Sequence, residues 1–417
     1  MRHLVTFACV LLAASIAEAQ PLRLRADALA TTPSPAGLIV LSGEARPSSY
    51  VGAEAVIWGG SGENPADALV ALVRLRHPGQ RGDLTLGRFV VATGAVRPVH
   101  LDGGMLRAKL PAGIGLEAFG GLPVRPLETW NDEQQMGGVS RRIERADWDW
   151  VYGGRISETL GTKLGAGASF VERRDFGRIA DREVGGDLWL QPTGKLDLAS
   201  RLSWDLVMAG VSEALVSAAY RPAGYRFELF GTHRSPARLL PATSIFSALG
   251  DVPSDTVGLS ALWYAAPRLD VLASGSARMA GEIPIDQDAS NEPREAEAEI
   301  GMDASMRATL RLDDEGKGQV VLELRRFGLD PGEWTGVRLR VRIPVLEDFA
   351  VSTELEAVRP DEPADGRGHI WPWGLVAFSG RFLDHWEAAL AVEAFASPDK
   401  AAALAALGRL AYRWEGP

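Results

Sequence analysis

The sequence predicts an all-β fold: a single up-and-down antiparallel transmembrane β-barrel with an even number of strands, about 16 to 22 of them. Three observations lead there. The chain opens on an export leader, its body is built from short segments of strict apolar/polar alternation, and its connections are alternately tight and long.

The leader is "MRHLVTFACVLLAASIAEAQ". Arg2 and His3 precede an apolar run from Leu4 to Ile16 that is too short to span a bilayer, and Ala17-Glu18-Ala19 supplies a small-x-small cleavage site. The expected division is therefore a signal peptide over 1–19 and an outer-membrane barrel over 20–417. Cys9 is the only cysteine and lies within the leader. The exported chain then has no disulfide framework, no thiolate metal site and no cysteine nucleophile. The net charge is −10, which argues against nucleic-acid binding. Of 44 basic residues only five are lysine. The arginine bias fits either a base-composition effect or a use for guanidinium forks, which grip carboxylates and phosphates bidentately.

No apolar run after the leader is long enough for a transmembrane helix. Alternating segments of barrel-strand length recur instead: "ALVALVRLRH" (68–77), "GDLTLGRFVV" (82–91), "GGDLWLQ" (185–191), "KLDLASRLSWDL" (195–206), "EAEAEIGMDASMRATLRL" (295–312) and "VSTELEAV" (351–358). Period 2 is the strand signature, because successive side chains leave on opposite faces. Helical periodicity is expected only at 239–250 and 399–407. No propeller or solenoid repeat and no linker interrupts the pattern, so one domain is expected.

From residue 109 onward one set of connections is tight ("LPAG", "LGTK", "QPTGK", "RPAGY", "APRL", "DDEGKG", "IPVLED", "RFLD") and rich in turn formers. The set between them is mostly longer: 122–147, 175–182, 234–254, 282–295, 359–367 and 397–402. Brief periplasmic turns alternating with longer external loops are the connectivity of a bacterial outer-membrane barrel, with both termini on the short-turn side.

The clearest strand is "TGVRLRVRIPV" (335–345), where Val337, Leu339, Val341 and Ile343 oppose Arg338, Arg340 and Arg342. An arginine held in hydrocarbon near the midplane costs about 2 to 4 kcal/mol, so the aliphatics are expected to meet lipid and the arginines the lumen. The same parity puts Glu323 and Arg325, Glu354 and Glu356, Glu297 and Glu299, Arg307 and Arg311, and Arg74 and Arg76 inside. Two uses for these rows stay open. They brace the wall by cross-strand pairing, or Arg338, Arg340 and Arg342 exceed their partners and draw anions through a pore.

Trp150 and Tyr152 after Trp148, Trp371 with Trp373, and Tyr412 with Trp414 cluster near strand ends, as interfacial girdles require. The final stretch "GRLAYRW", with Leu410, Tyr412 and Trp414 on one face, resembles the terminal recognition strand of outer-membrane proteins. That resemblance implies the barrel-assembly machinery and outer-membrane lipid as partners.

The stretch "LTLGRFVVATGAVRPVHLDGGMLRAKL" (84–110) resembles a segment of porin-like and alginate-export-like outer-membrane barrels through Gly87, Arg88, Gly94, Arg97, Asp102 and Gly103. Phe89 departs from the polar residue common after Gly-Arg there. The resemblance implies a conduit with an arginine-rich lumen for an anionic or polyhydroxylated cargo such as a secreted polysaccharide, together with a periplasmic export partner. A further expectation concerns 235–254, apolar between Arg238 and Asp251 and including Ser244 and Phe246. It is expected either to fold inward as a constriction or to stand outside as a loop helix.

Catalysis finds little support. His77, His100, His233, His369 and His385 are isolated, and no G-x-S-x-G, H-E-x-x-H or EF-hand spacing occurs. No cofactor or metal is expected. Conduction through the lumen, as a diffusion porin or an export barrel, is the favoured function. A structural or adhesive barrel anchoring a surface or motility complex is the alternative, with an outer-membrane hydrolase behind it.

Overall fold

The computed structural model describes residues 22–32, 36–61, 66–124, 149–175, 177–235, 254–280, 299–328, 333–362, 369–397 and 400–416. These residues form 22 strands, each antiparallel to its chain neighbours. The first, β1 (Arg23–Thr32), pairs with the last, β22 (Lys400–Glu415), from Arg23 opposite Glu415 to Thr32 opposite Ala406. That seam closes the sheet into a barrel and removes the two edges an open sheet would leave unpaired. The count is even and stands at the upper end of the expected range.

Residues directly opposite in adjacent strands share a face, so the parity of one strand propagates around the wall. In β16 (Glu299–Arg311) Ile300 and Met302 are 74% and 70% exposed, and in β14 (Ser254–Ala266) Val257 and Leu259 are 63% and 59% exposed. These aliphatics form the outer band. On the other parity polar groups meet each other: the hydroxyls of Ser274 in β15 (Leu269–Ala280) and Ser305 lie 2.7 Å apart across the strand pair. The sidedness follows from solvation. An apolar side chain loses nothing in hydrocarbon, whereas a guanidinium there must surrender its hydration.

Turn lengths alternate over part of the wall, but two connections expected to be long are not: strands run to Asp175 and resume at Arg178, and run to Ser397 and resume at Lys400, so 175–182 and 397–402 are largely strand. Two residues separate β14 from β15, and two separate β18 (Trp334–Leu346) from β19 (Phe349–Pro360). The turn 312–318 is held by Asp313, whose carboxylate accepts the backbone N–H groups of Lys317 at 2.9 Å and Gly318 at 2.6 Å. The bond from Gly318 is the main reason its carboxyl titrates below the usual range.

Two further expectations are corrected. The alanine-rich segment 399–407 is not helical but runs into β22, where its backbone pairs with both β1 and β21 (Trp386–Ser397). Alanine favours helix only weakly, and the ladders on both sides override it. Trp371 and Trp373, at the start of β20 (Trp371–Phe382), are not outward girdle residues. Their partners are Val358 and Glu356, on the inner face. Trp150, Tyr152, Tyr412 and Trp414 lie on the outer parity, and Trp148 lies outside the described residues.

The sidedness is directly measurable. Leu355→Arg, outward near the middle of β19, should lower folding stability in lipid vesicles by about 2 to 4 kcal/mol. Ser352→Arg, inward on the same strand, should change it by less than about 1 kcal/mol. Equal losses in a denaturant titration would contradict the assignment of faces.

Candidate functional site: a charged lumen with an inserted loop

The inner face of β17 (Gln319–Phe327), β18 and β19 carries the arginine row singled out in the sequence. Arg338 stands opposite Glu323 on one side and Glu356 on the other, and Arg340 stands opposite Glu354. The contacts interlock. Arg338 reaches Glu354 at 2.7 Å and Glu356 at 3.0 Å, while Arg340 reaches Glu354 at 3.2 Å. Glu323 binds Arg325 at 2.7 Å and faces Arg307 across the ladder. Arg342 differs: its neighbours across the strands are Gln319 and Ser352, and it is exposed, with no carboxylate among the described residues bound to it. The row is therefore neutralised at its centre and cationic at its periplasmic end.

The remaining predicted residues are spread around the wall rather than gathered with that row. Arg311 pairs with Asp270 and also donates to the Pro267 carbonyl at 3.1 Å. Arg74 in β4 (Ala66–Arg76) faces Thr85, and Arg76 faces Asp83. Glu299 opens β16 opposite Ala280, and nothing is described of its side chain. Glu297 and the proposed constriction residues Arg238, Ser244, Phe246 and Asp251 lie outside the described residues.

A different segment enters the lumen. Between β5 (Gly82–Val91) and β6 (Val99–Lys109), residues 92–98 turn inward instead of out, and Thr93, Ala95, Val96 and Arg97 are all buried. Beneath them the inner face is apolar: Phe89, Val91, Val99, Leu101, Met105 and Phe119 pack with Val96, and with Val151 and Val171 from farther along the wall. Polar bonds pin the loop at three places. Thr93 donates to Glu117 at 2.5 Å, the Ala95 N–H to Ser169 at 3.3 Å, and Arg97 is clamped on β10 (Arg178–Thr193).

The Arg97 clamp is a deeply buried charged group of the inner wall. Its backbone N–H and guanidinium both bond Glu183, at 3.0 Å and 2.7 Å, and a further guanidinium N–H reaches Asp181 at 2.7 Å. Glu183 is fully buried, and Asp205 lies 4.0 Å away. A charge this deep is tolerable only when its partners occupy several of its donors. The approach is close because Gly94 adopts a φ of +56°, and a Cβ there would sit 2.7 Å from Ser169 Oγ. Sequence reasoning marked Gly94 and Arg97 through a family resemblance but did not see an inserted loop. The available signal was the loop itself, seven residues with a single charge where external loops carry several.

The other resemblance residues divide differently. Arg88 shares parity with outward Leu86 and Val90, and it forks onto Asp102 at 2.7 and 2.8 Å. It belongs to the outer wall and not to the lumen. Gly87 has a φ of +125°, and a Cβ there would meet the Ala71 carbonyl oxygen at 2.1 Å. A side chain at this position is excluded by the close approach of β4. His100 also faces outward, with Nε2 2.9 Å from the Leu69 carbonyl oxygen. His233 bonds Asp255 at 2.6 Å.

By sequence, no family model and no curated protein matches the chain. Among solved structures the chain is similar to the P pilus usher PapC translocation pore, at 9% identity and a TM-score of 0.53, covering 94% of this chain and 99% of that one. It is also similar to PapC in an E. coli P pilus tip assembly intermediate, at 9% identity and a TM-score of 0.52. There it spans 60% of the usher chain and 94% of its own. The fold is that of an outer-membrane β-barrel. Pseudomonas aeruginosa OccK3 (OpdO) aligns over 95% of both chains at 12% identity, with a TM-score of 0.42.

In this outer-membrane barrel the inner wall also holds one depression of about 440 Å³, toward the short turns, where Trp189, Gln191, Asp197, Arg226 and Glu228 surround a floor of Ala199, Ser217 and Ala219. Among the described residues no group of three or more His, Cys, Asp or Glu side chains is placed to hold a metal ion.

Removing the Arg97 guanidinium leaves the buried Glu183 carboxylate without its main partner. Arg97→Ala should cost about 3 to 5 kcal/mol and open residues 92–98 to protease, with Glu183→Gln in the same chain recovering part of the loss. An unchanged unfolding midpoint would show that the loop is held otherwise.

Proposed function

We propose that the barrel is a hydrophilic conduit across the outer membrane, narrowed by the inserted loop 92–98 and selective for anionic or polyhydroxylated cargo. One observation carries the reading. A loop that could have extended into solvent is instead folded onto the inner wall and fastened to β10, four strands along from β6, through Arg97, Glu183 and Asp181. A purely structural barrel gains nothing specific from such a clamp, whereas a channel gains a fixed constriction. The paired rows Arg338–Glu354 and Arg338–Glu356 keep the path polar without a large net charge, and the exposed Arg342 adds one guanidinium toward the periplasmic end of the row.

The finer reading is export of a secreted polysaccharide delivered by a periplasmic partner. It is supported by the resemblance over 84–110, two of whose residues, Gly94 and Arg97, sit in the inserted loop. Passage through such a lumen requires no chemistry on the cargo, so the protein acts as a channel and not as an enzyme. The barrel-assembly machinery is the partner proposed for insertion.

Planar-bilayer recording tests this. The wild type should conduct, Arg97→Ala should conduct more or flicker between levels, and Arg342→Gln should shift permeability from anions toward cations. Closed bilayers for the wild type and the Arg97 variant alike would overturn the conduit reading and leave a structural or adhesive barrel. Retained conductance with unaltered surface polysaccharide in a deletion strain would reject the polysaccharide reading alone.

A further inference from the structure

The outer face of an outer-membrane barrel is normally apolar up to its aromatic girdle, and on three adjacent strands this wall departs from that. In β8 (Trp150–Leu160), β9 (Leu164–Asp175) and β10, Trp150 stands opposite Arg174, and Tyr152 opposite Glu172, which in turn faces Arg182. The parity is the outward one, shared with Ile156 and Val184, which are 54% and 38% exposed. Two arginines and a glutamate thus point away from the lumen.

Their height is fixed by the strands. Trp150 begins β8 at the long-loop, external end, and Leu160 ends it at a tight turn. Ten residues of rise at a barrel tilt span about 25 Å, the thickness of the apolar band. Arg174 and Arg182 therefore sit at the level of the outer-leaflet headgroups, directly above Ile156 and Val184.

The charges there do not cancel. Glu172 is almost completely buried, and both its oxygens are taken, by Arg174 at 2.9 Å and Arg182 at 2.6 Å. Two guanidiniums share one carboxylate, and each remains about one-third exposed. Other arginines on the outer rim are more fully neutralised: Arg88 contacts Asp67 and Asp102, and Arg326 contacts Glu333 and Asp361. The Arg174 guanidinium lies 4.9 Å from the centre of the Trp150 ring, which stacks on Tyr152 at 5.0 Å. The indole thus holds one fork in place, and Glu172 fixes the spacing of both.

We propose that Arg174 and Arg182 form a binding site for a phosphate of the glycolipid headgroups in the outer leaflet. A preorganised pair of guanidiniums with free N–H groups matches phosphate oxygens in shape and charge. At this depth lipid headgroups are the anions available in abundance. The aromatic rings beside the pair complete an amphipathic surface on which the lipid's sugar and first acyl carbons rest.

The test uses the purified full barrel in detergent, with three probes: diphosphorylated lipid A, the same lipid dephosphorylated, and inorganic phosphate. Binding of the diphosphorylated lipid should exceed that of the dephosphorylated form at least tenfold and should raise the unfolding midpoint. Inorganic phosphate at millimolar concentration should not reproduce that rise. Arg174→Gln combined with Arg182→Gln should lose the preference, and Arg326→Gln should keep it, with heat-modifiable gel migration confirming that each variant is folded. Equal affinity of the wild type for the two lipid forms overturns the proposal even if the double variant does not fold. A full effect from inorganic phosphate overturns the lipid assignment, and an unaltered preference in a folded double variant overturns the assignment to these residues.

Discussion

A guanidinium cannot be left in hydrocarbon, and in a closed antiparallel sheet that single prohibition fixes the orientation of the whole wall. Once Arg338 and Arg340 face inward, register carries the choice to Glu323 and Arg307 on one side and to Glu354 and Glu356 on the other. The seam between β1 and β22 obeys the same rule, with Arg409 bonded to Asp27 inside and Leu410 outside. A slip of one residue anywhere would turn an entire strand inside out, exchanging an aliphatic band for a charged one. Closure and sidedness are thus enforced together.

The inserted loop follows from a local exception to that rule. On β5 and β6 the inner face is apolar as well, with Phe89, Val91, Leu101 and Met105 inward, while Leu86, Val90 and Leu106 face out beside the Arg88–Asp102 pair. An apolar inner face in a polar lumen must be covered, and Val96 from residues 92–98 helps to cover it. Burial alone would leave the loop free to slide. Arg97 prevents this, because its two carboxylate partners sit at defined places on β10, and leaving Glu183 unpaired costs more than any sliding contact returns. The buried loop and the apolar cluster are thus one device, packed together on this part of the wall.

Much of this was legible in the residues. Strict alternation at 335–345 and 351–358 gave the strands and their sidedness, because charge and aliphatic character each keep to one parity there. The even count was readable from the turn chemistry. Alanine-rich β22 was misread as partly helical, since 401–406 contains little but alanine and leucine and its strand pairing with β1 spans nearly the whole chain. Trp371 and Trp373 were assigned by their position near a strand end, although Ser379 and Arg381 farther along the same parity already pointed inward. The inserted loop left the weakest trace. Its anchor joins Arg97 to Glu183, 86 residues apart, and no local pattern records such a contact.

The central claim, that register places alternate residues of each strand in the lumen and in lipid, is open to one direct measurement. A chain beginning at residue 20 contains no cysteine, so single cysteines placed in turn from 337 to 343 can be challenged with a membrane-impermeant thiol reagent in the reconstituted barrel. Positions 338, 340 and 342 should label and positions 337, 339, 341 and 343 should not. Labelling that is uniform, or that falls on the odd positions, would contradict the account.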